Sequence, residues 1–440
     1  MASSTDFLTE MSWRGLLHQC TAEPALKQHL TEAAPGSGRL AYVGFDPTAD
    51  SLTIGNLVGI IALGRWQRAG HTPVVVMGGG TGLIGDPSGK SAERTLQTPE
   101  QVAANVRSIQ RIFERVLDFS PSRPNRAVMT NNADWLGAIS YLDALRDIGK
   151  HFSVNMMIQK DSVRERLNNR EQGISYTEFS YMILQSYDFL HLYRDMGVSV
   201  QMGGSDQWGN IIGGCDLIRR CVQHTAGAAA ESYGLTWPLV TKADGGKFGK
   251  TESGAIWLTA ERTSPFQFYQ FWLNAADADV FRFLRTFTFL PREQIEHLEQ
   301  THSADPGRRE AQRTLARHMT ELLHGTDELR KVEDAARALF TKSGGDGPFI
   351  VTDELLAGAP SSTHDRALLG GTGMALVDLL PLTTLVKSKT EARTQLAQNA
   401  VSVNGHAAAV DARVTDASLV SGNIIALRRG KKTWHITRWE

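Results

Sequence analysis

Two hydrophobic patterns alternate along the first 264 residues. Leu40–Phe45 and Thr72–Met77 are short, nearly uninterrupted apolar runs, the pattern of strands buried on both faces. Between them, Gly55–Ala69 places apolar residues at helical spacing. Ala127–Thr130, Val198–Met202 and Leu235–Val240 predict further strands; Pro99–Leu117, Ala138–Gly149, Thr177–Arg194 and Gln207–Cys221 predict further helices. This alternation predicts an α/β domain over residues 1–264, an open and mostly parallel sheet covered by helices. Ligands of such sheets lie at the carboxyl ends of the strands.

The pattern changes after Ser264. Residues 265–342 have helical periodicity, few strand formers and many charges, as in Arg308–Leu323, and predict an α-helical domain. Residues 343–372 predict a linker, rich in Gly, Pro, Ser and Asp from Ser343 to His364. Residues 373–440 predict a small α+β domain with a helix and then a hairpin through Val401–His406.

Composition narrows the function. A chain of 440 residues needs more than one core, and its formal net charge of −1 excludes coating of nucleic acid by bulk charge. Any nucleic-acid site is therefore local, and the last domain supplies one candidate. From Thr383 onward nine Lys and Arg face four Asp and Glu, a balance of +5, with Trp434 and Trp439 near the Arg428–Lys432 cluster. Cys20, Cys215 and Cys221 match no disulfide framework, zinc knuckle or redox pair, which predicts plain buried thiols in a reducing compartment. Met1–Asp6 contains no basic stretch leading into an apolar one, and no apolar run reaches membrane length, so a cytoplasmic location is expected.

Three glycine-rich stretches carry the candidate chemistry. In Gly44–Leu57 a strand passes through Asp46, Pro47 and Thr48 into a helix, whose N-terminus offers free N–H groups and a positive dipole end to phosphate. Gly78–Arg94 invites a P-loop reading, but the position five before Gly89-Lys90 is Ile84 where a Walker A loop needs glycine. It remains a glycine loop bearing Asp86, Lys90 and Arg94, suited to a zwitterion and a polyphosphate. In Lys242–Gly254, Lys247 and Lys250 stand among glycines beside Thr251, placed to stabilise charge on a departing pyrophosphate.

In this order the three stretches resemble the class I aminoacyl-tRNA synthetases, and among them the bacterial tyrosyl-tRNA synthetases. Thr53–Asn56 stands where that family has its HIGH signature, and Lys247–Thr251 (KFGKT) where it has KMSKS. Thr81–Lys90, Ser180–Leu190 and Gly203–Asn210 resemble further family stretches, and the tail from Leu382 resembles an S4 RNA-binding domain. The resemblance implies a Rossmann-like catalytic sheet, L-tyrosine, ATP with Mg2+ and tRNA(Tyr) as reactants, and a homodimer.

Carried over residue by residue, it implies that Tyr42 and Asp188 bind the phenol hydroxyl. Asp86, Tyr181 and Gln185 would hold the ammonium group, Asp46 would also bind tyrosine, and Gln207 would contact the carboxyl region. Tyr181, Gln185 and Asp188 follow i, i+4, i+7 and so share one helix face. Gly44, Pro47, Gly55, Asn56, Gly204, Asp206 and Lys250 would bind the nucleotide; Thr48, Thr53, Lys90, Arg94, Lys247, Lys250 and Thr251 would serve catalysis. Lys387, Lys389, Arg393, Arg428, Arg429, Lys431 and Lys432 would contact RNA. Asn131 or Asn132 would assist at the carboxylate end; His151 and Trp208 are expected to be structural. The family's first HIGH residue is His. A Thr53 hydroxyl can donate to a phosphate oxygen but carries no charge, so slower activation is expected. A tryptophan-specific sibling and a non-catalytic RNA-binding relative are the alternatives, disfavoured by Tyr42 with Asp188 and by the intact KFGKT stretch respectively.

Overall fold

The structure, a computed structural model, describes residues 6–33, 38–86, 96–160, 163, 164, 167, 174–226, 231–243, 245, 246, 248–251, 254–340, 359–420, 422–430 and 433–440. The chain forms two compact units, one of Met1–Thr263 with Trp272–Leu323 and one of Ser264–Phe271 with His324–Glu440. Among the described residues no helix is long and apolar enough to cross a membrane.

The first unit is built on six strands: β1 (Gln19–Cys20), β2 (Leu40–Phe45), β3 (Thr72–Met77), β4 (Val128–Asn131), β5 (Val198–Gly204) and β6 (Tyr233–Trp237). Their order is β1-β6-β5-β2-β3-β4, and every pairing is parallel except β1 with β6. β6 ends at Trp237, short of the predicted Val240, because Pro238 has no N–H for the ladder. β1, only two residues long, leaves no periodicity to read.

The helices that matter to the site are α1 (Phe7–Trp13), α2 (Glu23–Thr31), α3 (Leu57–Arg68), α4 (Pro99–Phe113), α5 (Tyr176–Met196) and α6 (Trp208–Ala226). α3 packs on β2 and β3, while α5 and α6 pack on each other and on β5. The predicted helix over Ala138–Gly149 is replaced by short turns. Tyr141–Asp143 starts on the Ser140 hydroxyl, widens to a π-turn at Ala144–Ile148 and tightens at Gly149–His151.

Residues 265–340 are helical throughout: α7 (Pro265–Leu273), α8 (Asp277–Phe287), α9 (Arg292–Ala304), α10 (Glu310–His324) and α11 (Thr326–Phe340), with a 3-10 turn at Pro306–Arg308. The turn that ends α8 leaves carbonyls without partners in the helix, and two buried arginines take them. Arg14 donates to the carbonyls of Arg285, Thr288 and Leu290, and Arg65 to those of Arg285, Thr286 and Thr288. These bonds hold the C-terminal end of α3, whose other end opens on the site described below.

In the second unit, residues 341–358, most of the expected linker, lie outside the described residues. Beyond them a five-stranded sheet runs in the order His406–Ala407, Val401–Val403, Ile424–Arg429, Thr433–Trp439, Ser361–His364, parallel only at the last pairing. Asn404 (φ 47°) and Gly405 (φ 84°) make the two-residue turn expected from the Asn-Gly pair. The helix Lys389–Ala397 starts on the Ser388 hydroxyl, and its Ala392 and Leu396 join a core with Leu376, Leu427 and Trp439.

Candidate active site

The strand order reverses between β2 and β5, and a cavity of about 510 Å3 lies there, lined by Tyr42 and Val43 of β2 and Gln201 and Met202 of β5. Gly44, Asp46, Gly78, Gly204 and Trp237 bring in the carboxyl ends of β2, β3, β5 and β6. Close approach dictates the glycines. A Cβ on Gly78 would stand 2.1 Å from Asp46 Oδ1, and one on Gly204 2.5 Å from Asp206 Oδ1.

Tyr42 and Asp188, both under 4% exposed, are buried members of this lining. Asp188 Oδ1 accepts from Trp135 Nε1 (2.7 Å) and Oδ2 from Asn132 Nδ2 (2.9 Å). Burial pushes its carboxyl up to about 7 against the pull of those two donors. Asn132 is itself fixed, because its Oδ1 accepts from the Gly80 N–H at 2.7 Å. Tyr42 differs: its buried hydroxyl meets no partner among the described residues. Burial and the neighbouring Asp188 charge hold that phenol well above its ordinary pKa, so it is a neutral donor.

The i, i+4, i+7 face of α5 is confirmed geometrically, since Tyr181, Gln185 and Asp188 all line the cavity. The Tyr181 hydroxyl donates to Asp46 Oδ2 (2.9 Å), and Thr81 Oγ1 to Asp46 Oδ1 (2.7 Å). Gln207 Nε2 donates to Asp86 Oδ2 (2.7 Å) and Asp206 Oδ2 (3.2 Å), while Asn210 Nδ2 donates to Gln185 Oε1 (3.0 Å). Burial raises the Asp206 carboxyl. The described lining thus carries Asp46, Asp86, Asp188 and Asp206 and no Lys, Arg or His. Such a wall attracts a cation and needs positive groups before it can accept a polyanion.

Thr48, Thr53, Gly55 and Asn56 also line the cavity, at the N-terminal end of α3. Pro47 does not: its carbonyl accepts from Asn105 Nδ2 (2.9 Å). Lys90, Arg94 and Lys247 lie outside the described residues. For Lys250 and Thr251 only the backbone is described, a two-residue strand paired with Gly254–Ala255. Phe248 anchors this stretch in an aromatic cluster, 5.2 Å from Phe287 and 5.0 Å from Phe283.

Sequence reasoning passed over Gln201, Thr81 and Trp257, which also line the cavity. Gln201 carried a readable signal, as a polar side chain in an otherwise apolar central strand; its buried Oε1 has no partner among the described residues. Of the two asparagines, Asn132 lines the cavity and Asn131 receives the Ala133 N–H (3.0 Å). Asn132 reaches Asp188, the residue assigned to the phenol. Trp208 and His151 line a separate cavity of about 270 Å3.

Residues 39–341 match the family described as tRNA synthetases class I (W and Y). The chain belongs to this family. Residues 354–437 of this synthetase match a second model, the tyrosine–tRNA ligase SYY-like C-terminal domain. The synthetase is 48% identical over 438 residues to a tyrosine–tRNA ligase of Roseiflexus castenholzii, covering 99% of each chain. It is likewise 48% identical to one of Bacillus caldotenax, covering 99% of this chain and 100% of that one. The crystal structure of a C-terminally truncated mitochondrial tyrosyl-tRNA synthetase of Aspergillus nidulans superposes with a TM-score of 0.66 at 30% identity, over 76% of this chain and 94% of that one.

In the C-terminal unit of the synthetase, Lys387 and Arg393 are exposed. Lys389 pairs with Asp378 (2.7 Å) and Arg429 with Glu391 (3.0 Å), and Arg428 lies over the Trp434 ring at 5.2 Å. Lys431 and Lys432 lie outside the described residues. Trp434 and Trp439, near the basic cluster in sequence, are buried, Trp439 in the domain core.

Proposed function

We infer that this synthetase activates L-tyrosine with ATP, releasing pyrophosphate, and transfers the tyrosyl group to the 3′ end of tRNA(Tyr). One observation carries the choice of amino acid: a buried Tyr42 hydroxyl, without a partner among the described residues, beside the buried Asp188 carboxylate in the same cavity. A substrate phenol completes both, donating to Asp188 and accepting from Tyr42. Phenylalanine leaves the Tyr42 hydroxyl unpaired, at a cost of about 1–3 kcal/mol, and brings no further donor to Asp188.

The remaining roles follow the same reading. Asp46, Asp86, Tyr181 and Gln185 meet the ammonium group, and Gln207 the carboxyl region, which leaves the tyrosine carboxylate free to attack. Its oxygen bonds to the α-phosphorus of ATP as the bond to the bridging oxygen breaks in line, and pyrophosphate departs. Gly44, Gly55, Asn56, Gly204 and Asp206 bind the nucleotide. Thr48, Lys90, Arg94, Lys247, Lys250 and Thr251 supply the positive and donor groups that the acidic described lining lacks. Mg2+ enters with ATP as part of the substrate. A terminal ribose hydroxyl of tRNA(Tyr) then attacks the tyrosyl carbonyl and AMP leaves, with the basic C-terminal residues, including Lys387 and Arg393, gripping the RNA backbone.

A homodimer belongs to this proposal. Of the thirteen large apolar side chains exposed among the described residues, eight fall between Tyr141 and Tyr176, including Leu142, Val154 and Met156, a concentration suited to a second copy of the chain. The cytoplasm, where tRNA is charged, is the location that goes with this activity. Pyrophosphate exchange into ATP tests the whole: exchange is expected with tyrosine and not with tryptophan or phenylalanine. Exchange with tryptophan alone, or with no amino acid, overturns the reading.

A further inference from the structure

We propose that Thr53 acts on ATP through Asn56, as a positioning residue that turns the Asn56 amide so that its Nδ2 group faces the nucleotide. The proposal rests on the activation reaction inferred above and assigns within it a division of labour.

Asn56 Oδ1 accepts from both the Thr53 N–H and the Thr53 Oγ1, each at 3.0 Å. A backbone N–H can only donate, so the amide oxygen must face Thr53 and the Nδ2 hydrogens must face away from it. Asn56 stands at the N-cap position of α3 yet makes no side-chain cap bond, so its amide is withheld from the usual work of that position. Both residues line the cavity, and Asn56 Nδ2 meets no acceptor among the described residues. Since Asn56 Oδ1 only accepts, the single Thr53 hydroxyl proton is committed to it and is not available to a phosphate.

The Thr53 backbone is pinned independently. Thr53 bridges Trp257, Ile54 N–H donates to the Ile256 carbonyl (3.0 Å), and Leu258 N–H donates to the Leu52 carbonyl (2.9 Å). The Ile256 N–H donates in turn to the Gly249 carbonyl (3.0 Å), so the TIGN stretch is registered on the KFGKT stretch before any nucleotide binds.

Pyrophosphate exchange by the full chain and by Thr53→Val, Thr53→Ser, Asn56→Ala and the Val/Ala double variant tests this. Thr53→Val is expected to raise KM for ATP roughly three- to tenfold, the range of one neutral hydrogen bond, with KM for tyrosine unchanged. Thr53→Ser is expected to restore the ATP value, and the double variant to be no worse than Asn56→Ala alone. An unchanged Thr53→Val, or losses that multiply in the double variant, overturns the proposal. If the unaltered chain shows no tyrosine-dependent exchange, the activation reading fails instead; equilibrium binding of ATP to the same four variants then decides the positioning role by the same non-additivity.

Discussion

The two ends of the cavity are built from different materials. The end around Asp188 is made of buried side chains: Asp188 accepts from two donors, while the Tyr42 hydroxyl and Gln201 Oε1 have no partner among the described residues. The end around Thr53–Asn56 is made of backbone: a helix N-terminus, close-packed glycines and a strand bridge to Trp257. A side-chain pocket discriminates by what it leaves unpaired, whereas a backbone cradle holds any triphosphate and contributes geometry. The difference teaches that choice of amino acid and grip on nucleotide can be damaged separately.

The largest effect is expected from Asp188→Ala. It removes the acceptor for the substrate phenol and orphans the Asn132 and Trp135 donors, so kcat/KM for tyrosine should fall at least about a hundredfold with ATP affinity retained. Exchange kinetics beside a nucleotide-binding titration check this; an equal loss at both substrates would erase the distinction between the two ends.

Next comes pH. The Asp188 pKa of about 7 is raised above its unfolded value, so its contribution to stability is complete below the ordinary carboxylate range and is lost as pH climbs to about 7. Tyrosine, which donates to the ionised form, works the other way. Its kcat/KM should rise roughly tenfold per unit below about pH 7 and level off above, while Asp188→Asn should lose this component of both the rate and the stability profile. Chemical denaturation and pH–rate profiles of the two proteins decide it.

At the other end, Gly249→Ala should act on the nucleotide. Gly249 has φ +76° and its Cβ would stand 2.4 Å from Ile54 Cγ2. The left-handed backbone alone is disfavoured by about 1–2 kcal/mol for alanine, so an increase of roughly tenfold in KM for ATP is expected, with tyrosine binding spared. Tyr42→Phe should be the mildest. It removes a hydroxyl that has no partner among the described residues, so melting temperature should not fall, while discrimination against phenylalanine drops roughly three- to tenfold.

Much of this was legible along the chain because it is local. Thr72–Met77 is a strand whichever neighbours it finds, since six apolar or β-branched residues in a row have few other uses. Tyr181, Gln185 and Asp188 share a face by helical spacing alone, and the structure turns that face into the cavity. Asn132, Thr81 and Gln201 were harder, because nothing near them in sequence shows that Asn132 meets Asp188 fifty-six residues away. Trp434 and Trp439 stand near the arginines in sequence, and only the folded sheet shows that both are buried.

The sequence by itself determined the alternation of strands and helices, the glycines at the strand ends and the order of the signature stretches, all of which depend on backbone preference and spacing within a few residues. Tertiary structure alone decided which polar atoms stay unpaired, how Asp188 comes to titrate near neutrality and where the Thr53 hydroxyl proton goes. Those properties depend on desolvation and on partners brought together by folding, and neither exists in an extended chain.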